Sequence, residues 1–230
     1  MYYSETVTTK DVKKLIDVPN LCPSTILLDV KKLDNGVKLK ELADIFIGNQ
    51  YTLGVFENKG LLSDKNTGYR ILTSSDIENG MVRWGSLRFI NMKDDKFDKF
   101  AAHFGDVVVT SKSSKVKTVV VDIEPKEKIL VTGGMLIIRP NQTKLNPTYL
   151  KMFLDSEMGQ SSLKSIQKGN IIVTITASGL STVEIPLIGL EKQNEKAERY
   201  NTKLSTLAAY KQEIERIENS LKNIFEEEED

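Results

Sequence analysis

From Leu190 to Phe225 the sequence runs 36 residues without a glycine or proline, and charged, Ala, Leu and Gln residues dominate it. With Tyr200, Leu207, Ile214 and Leu221 at heptad position a, position d takes Lys203, Tyr210, Ile217 and Ile224, so seven of eight seam positions are apolar or aromatic. A 3.5-residue period held over four heptads predicts one helix with a coiled-coil-like seam. At ~1.5 Å per residue such a helix spans roughly 54 Å, much longer than a domain packed beside it. The sequence supplies one helix of this kind, so the partner for the seam is expected from another subunit. Glu226 to Asp230, which follow, read as a solvated acidic tail.

Upstream the pattern changes. Residues 39–189 read as short strands punctuated by turns, at Arg70–Thr73, Asp106–Thr110, Val116–Ile123, Ile129–Val131 and Leu136–Arg139, all rich in Val, Ile and Thr. Two helices are expected among them. One is Leu39 to Ile47, with apolar positions 39, 42, 43, 45 and 46. The other is opened by Asn146-Pro147 and runs from Tyr149 toward Met158, with the proline in its first turn. Residues 1–38 hold Pro19, Cys22-Pro23, the turn pair Asn35-Gly36 and a short helical stretch around Val12 to Ile16, and read as a lead-in. The expected fold class is α+β: a mixed-sheet domain with short helices over 39–189, then the long helix over 190–225 and the tail over 226–230.

Composition removes several function classes. Lys plus Arg and Asp plus Glu are 32 each, so bulk charge does not hold nucleic acid to this chain. The balance is uneven, because residues 191–230 carry 7 basic and 11 acidic side chains and leave the remainder at 25 and 21. A localised basic face is therefore compatible with zero net charge. The single cysteine, Cys22, excludes an intramolecular disulfide framework and a cysteine-rich zinc site. The opening MYYSETVTTKDVKK is polar, and no apolar run approaches membrane-spanning length. The expectation is a cytoplasmic protein without membrane association, metal or cofactor.

Apparent catalytic motifs fail on their own chemistry. Asn146-Pro147-Thr148-Tyr149 is close to the Asn-Pro-Pro-Tyr loop with which amino-methyltransferases grip adenine. It lacks the second proline, and no Gly-rich cofactor loop precedes it, so it reads as a helix start. Asp106, Glu124 and Lys126 have metal-nuclease spacing, but Pro125 breaks the strand from which Glu and Lys must project together. His103 has no nucleophile to serve. Gly133-Gly134 is followed by no phosphate-loop lysine and helix.

Three segments carry chemistry suited to DNA. Residues 110–118, TSKSSKVKT, hold three lysines and five hydroxyls without an acid. Lys112, Lys115 and Lys117 can neutralise phosphates, and Ser111, Ser113 and Ser114 can donate to phosphate oxygens or base edges. Arg70 with Thr73-Ser74-Ser75, then Arg83-Trp84 and Arg88, form a second group. Lys164, Lys168 and Asn170, around Gly169, form a third.

The order of segments resembles the specificity subunits of type I restriction–modification enzymes. LKELADIFIGNQ (39–50) looks like the opening of their target-recognition domain. It is followed by YRILTSSDIENGMV (69–82), FGDVVVTSKSSKVKTVVV (104–121) and GGMLIIRPNQTKLNPTYLKMFLDSEMGQSSL (133–163). LSTVEIPLIGLEKQNEKAERY (180–200) then joins an Ile-Pro strand end to a Gln-bearing helix start. The resemblance implies a non-catalytic subunit whose recognition domain reads half of a split target in double-stranded DNA. Long helices set the spacing and dock the adenine methyltransferase, and a separate restriction subunit cleaves. The sequence departs from the family pattern in having one recognition domain and one long helix, with no internal repeat. It therefore looks like a half-size subunit, expected to homodimerise through Leu207, Tyr210, Ile214, Ile217, Leu221 and Ile224, or like the recognition portion of a larger polypeptide. Two readings of other classes stand beside it: a metal-dependent nuclease through Asp106, Glu124 and Lys126, and a coiled-coil adaptor without a DNA role.

Overall fold

A computed structural model of the chain describes residues 35–91, 95–112, 116–123, 126–169 and 174–224. The helical stretch expected around Val12 to Ile16 and the acidic tail lie outside the described residues.

In chain order the strands are β1 (Gly36–Lys38), β2 (Ala43–Ile47), β3 (Leu62–Ser63), β4 (Tyr69–Leu72), β5 (Ile77–Glu78), β6 (Met81–Val82) and β7 (Arg88–Ile90). They continue with β8 (Ala101–Ala102), β9 (Val107–Thr110), β10 (Thr118–Val120), β11 (Lys128–Val131), β12 (Met135–Pro140) and β13 (Glu184–Pro186). The helices are α1 (Leu53–Asn58), α2 (Pro147–Asp155), α3 (Glu157–Ser165), α4 (Ala177–Leu180) and α5 (Leu190–Asn223). One sheet has the order β10-β9-β12-β2 and is antiparallel throughout. A second, β3-β7-β4-β11-β8, is mixed, because β11 runs parallel to β4, and β1-β13 and β5-β6 form two-stranded antiparallel pairs.

Period-2 alternation assigns the strand side chains to three buried layers. Val107 and Val109 of β9, with Leu136 and Ile138 of β12, face α2 and α3, where Leu150, Phe153, Leu154 and Leu163 complete a core. Val108, Met135 and Ile137 point the other way and meet Leu72, Ile129 and Val131 of the mixed sheet. The far face of that sheet, with Ile71, Leu130 and Ile90, is covered by Phe56 of α1 and by Phe97. Each such side chain stabilises the fold by about 1.5–3 kcal/mol when fully buried.

The expected strands are present within a residue or two, except that regular pairing in the 116–123 run covers only Thr118–Val120. The helix expected over Leu39–Ile47 is not there: Leu39–Glu41 makes one 3-10 turn, and Ala43–Ile47 is strand β2. Ile45 packs toward the helix-side core and Phe46 toward the inter-sheet core. This edge strand packs apolar side chains on both of its faces, Ile45 on one and Phe46 on the other, so it lacks the strict alternation that separates a strand from a helix.

The second expected helix is found but broken. Asn146 caps α2 by accepting the Tyr149 N–H at 3.0 Å, with Pro147 at the first position. Ser156 is extended and caps α3 through Gly159 N–H. The turn after α2 is so tight that a Cβ on Gly159 would lie 2.0 Å from the Phe153 carbonyl oxygen.

The long helix α5 runs for 34 residues. Its start is locked by Gln193, wholly buried: Nε2 donates to Lys144 O and Ile188 O, and Oε1 accepts the Asn146 N–H. Ala197 and Ala208 are buried, and Leu204 lies against Gly80 in the β5–β6 turn. That turn places Asn79 and Gly80 at φ of 51° and 75°, as a two-residue hairpin requires, and Lys211 Nζ donates to Asn79 Oδ1 at 2.6 Å. Tyr200, expected in the seam, instead faces the chain's own domain through Lys151 and Asp155. The stripe left exposed among the described residues begins at Leu207.

Candidate nucleic-acid interface

The carboxyl ends of the parallel pair β4 and β11 bring the sequence-separated polar segments to one rim. Beyond β4 lies Thr73-Ser74-Ser75, and beyond β11 lies Thr132-Gly133-Gly134. Thr132 ties the two together, its N–H and its hydroxyl both donating to Leu72 O at 3.1 and 3.2 Å. The N–H groups of Ser111 and Lys112 both donate to Gly134 O, which brings the lysine-rich segment alongside. On its other side, Ile175 N–H donates to Ser111 O, and Thr174 makes isolated bridges with both Lys112 and Lys168. Parts of three groups predicted separately, around Ser74, Lys112 and Lys168, thus converge.

Within that strip the side chains differ in what they are free to do. Lys112 and Lys168 are exposed, and no carboxylate among the described residues pairs with either. Ser74 is exposed. Lys117 is committed: its ammonium donates to Ser74 O and Ile77 O at 2.9 Å each, fastening the lysine-rich segment to the β4–β5 connection. Thr73 is committed too, its N–H and hydroxyl both donating to the buried Asp76 carboxylate at 2.9 and 2.6 Å. Ser111 is buried. Arg83 is exposed, 3.3 Å from Glu78 and donating to Ser75 O. Ser113, Ser114, Lys115 and Asn170 lie outside the described residues.

Arg70 and Arg88 are turned to other uses. Arg70 donates to Trp84 O at 2.9 Å, stacks 4.4 Å over the Phe89 ring and lies 3.7 Å from Glu127 at the opposite end of β11. Arg88 pairs with Glu57 at 2.7 Å.

Among the described residues no geometry supports the catalytic alternatives. Asp106 is buried, with Oδ1 taking Arg139 Nε at 2.9 Å and Oδ2 taking Arg139 Nη2 and the His103 N–H at 2.8 Å each. The bond from Asp106 raises the Arg139 pKa, and the carboxylate is held in a buried two-pronged ion pair instead of being presented to a metal. Lys126 is exposed on a turn, Glu124 is outside the described residues, and no metal-ligating cluster occurs among the described residues. The Tyr149 hydroxyl donates to Pro186 O at 2.7 Å, and burial pushes its pKa up, which makes it a packing residue of α2.

Sequence reasoning missed Asn49 and Gln50, at the end of β2, which abut Gly133 on the same rim. It also missed the Lys151–Asp155–Tyr200 junction that carries α5. A lysine in mid-helix looks solvated in sequence, and only the fold shows Lys151 to be 3% exposed at its side chain.

No family model matches the chain. Over 200 residues, 86% of its length, it is 25% identical to the putative type I restriction enzyme MjaX specificity subunit of Methanocaldococcus jannaschii, covering 46% of that protein. Its similarity to the MjaVIII specificity subunit of the same organism is 25% over 82% of the chain and 44% of the relative. The chain spans about half the length of the curated relatives it matches. Among solved structures, a chain from work on complex assembly and conformational transition of the type I R-M system superposes with a TM-score of 0.57 at 19% identity, covering 82% of this chain and 43% of that one. The HsdS subunit from Thermoanaerobacter tengcongensis gives 0.52 at 17% identity, with 82% and 44% covered. The resemblance carried by the five ordered segments is borne out in sequence and in fold, and the α+β class with mixed sheet and long C-terminal helix is that of these subunits.

Proposed function

We propose that this chain, built on the fold of type I specificity subunits, is a DNA-specificity component that directs an adenine methyltransferase, and a restriction subunit with it, to a target sequence in the cytoplasm. It performs neither methyl transfer nor cleavage itself. The observation that carries the reading is the convergence of Lys112, Lys168 and Ser74 on one rim, where ammonium groups without carboxylate partners among the described residues are available to phosphates. The buried pairing of Asp106 with Arg139 supports the non-catalytic part. The purified chain should retard duplex DNA in moderate salt, and should neither cut it with magnesium nor methylate it with S-adenosylmethionine. An adaptor would leave the duplex unbound, and a nuclease would cut it.

The apolar stripe of α5 supports a homodimer. Leu207, Tyr210, Ile214, Ile217, Leu221 and Ile224 are 48–67% exposed. Two copies packed antiparallel would set the recognition domains at opposite ends. A two-fold pair would then read the same half-site on each strand of an inverted, interrupted target. The methyltransferase is the other candidate for the stripe, and the oligomeric state of the chain separates the two.

A further inference from the structure

Two glycines on the DNA-facing rim are required by contact rather than by backbone angle. A Cβ on Gly48 would lie 2.5 Å from the Thr132 carbonyl oxygen, and one on Gly133 would lie 2.6 Å from that of Asn49 and 3.0 Å from that of Gln50. The 48–50 and 132–134 turns therefore interlock through bare backbone. Gly48 N–H donates to Met135 O at 3.0 Å and Asn49 N–H to Val131 O at 2.7 Å. Asn49 Oδ1 accepts the Tyr51 N–H at 2.9 Å, closing a side-chain turn around Gln50. Asn49 is buried and its Nδ2 finds no partner among the described residues, a desolvation cost the fold bears to hold this turn. What the brace presents is Gln50, which is exposed. The next glycine, Gly134, accepts the Lys112 N–H, so the backbones that carry Gln50 and Lys112 are both anchored on one dipeptide. Ile47, 60% exposed, ends β2 three positions earlier.

We propose that Gln50 is a base-reading residue of the target site, its amide pairing with an adenine in the major groove beside the phosphate taken by Lys112. This rests on the DNA-specificity reading and names one contact within it. A glutamine amide matches adenine N6 and N7 with one acceptor and one donor, and an aliphatic side chain such as Ile47 suits the thymine methyl on the same groove edge. A braced backbone makes the contact selective, because the amide does not have to be ordered when DNA arrives.

The test is selection from a duplex library with a randomised segment, using the full chain as wild type, Gln50→Ala and Gln50→Glu, read by sequencing. Gln50→Ala should flatten the preference at one A·T position roughly tenfold or more and keep the others. Gln50→Glu should move that position toward cytosine, whose N4 amino group donates to a carboxylate. If both variants return the wild-type motif, or lose preference evenly at every position, Gln50 is not a reader. A wild-type chain that enriches no motif defeats the DNA reading itself, and Gln50 with it.

Discussion

The hydroxyl of Tyr200, on the long helix, donates to Asp155 Oδ2 at 2.7 Å across 45 positions of sequence. The Lys151 ammonium reaches the same carboxylate and lies 2.9 Å from the Tyr200 oxygen, while Thr118 donates to the other carboxylate oxygen. One side chain thus joins α2, β10 and α5, and with Asn79–Lys211 it sets the direction in which the helix leaves the domain. Asp155→Ala should strand a buried ammonium and lower unfolding stability by about 3 kcal/mol, the low end for removing one member of a buried pair. Chemical denaturation reads this directly. A loss below about 1 kcal/mol, the range of an exposed pair, would mean that water already serves Lys151.

The same junction predicts an alkaline response. Burial first, then the bond to Asp155, raises the Tyr200 pKa above its ordinary value near 10. The folded state therefore holds the phenolic proton more tightly than the unfolded chain. Its contribution is complete below pH 10 and declines as the pH rises beyond it. The stability difference between wild type and Tyr200→Phe should be constant from pH 7 to 9 and shrink above 10. A difference that grows with alkalinity would contradict the assignment.

For DNA, the geometry separates lysines that composition treats alike. Lys112→Ala with Lys168→Ala should reduce the slope of log affinity against log salt by about 1.8, at about 0.9 per lost phosphate contact. Lys117→Ala should instead loosen the fastening to Ser74 and Ile77, visible as lower stability with little change in slope. Equal slope changes for all three would mean that the Lys117 ammonium leaves its carbonyls when DNA binds.

These distinctions mark where the sequence stops being informative. The runs at Val107–Thr110 and Met135–Pro140 are legible because β-branched residues crowd both faces, and α5 is legible because no Gly or Pro interrupts it. Leu39–Ile47 is ambiguous for a related reason, since apolar side chains on both faces of β2, Ile45 and Phe46, erase alternation. At the rim, positive charge is visible but its availability is not. The carbonyls that hold Lys117 come from 40 and 43 positions away, and the backbone that presents Gln50 depends on a glycine far along the chain.

The seam of α5 makes a separate prediction. Placing Asp at both Ile214 and Ile217 would put unpaired charge into any interface there, and should dissociate the pair while leaving the domain folded. Sedimentation of the wild-type chain should show a dimer at micromolar concentration. A monomer would assign the stripe to a methyltransferase subunit.

If this chain chooses the adenines that a methyltransferase modifies, its removal must change which adenines carry the methyl group. Single-molecule sequencing of genomic DNA from cells with and without the gene compares methylated adenines base by base. The account predicts that methylation of one interrupted motif disappears when the gene is deleted and returns when it is restored. Identical methylation maps in both cells would contradict it.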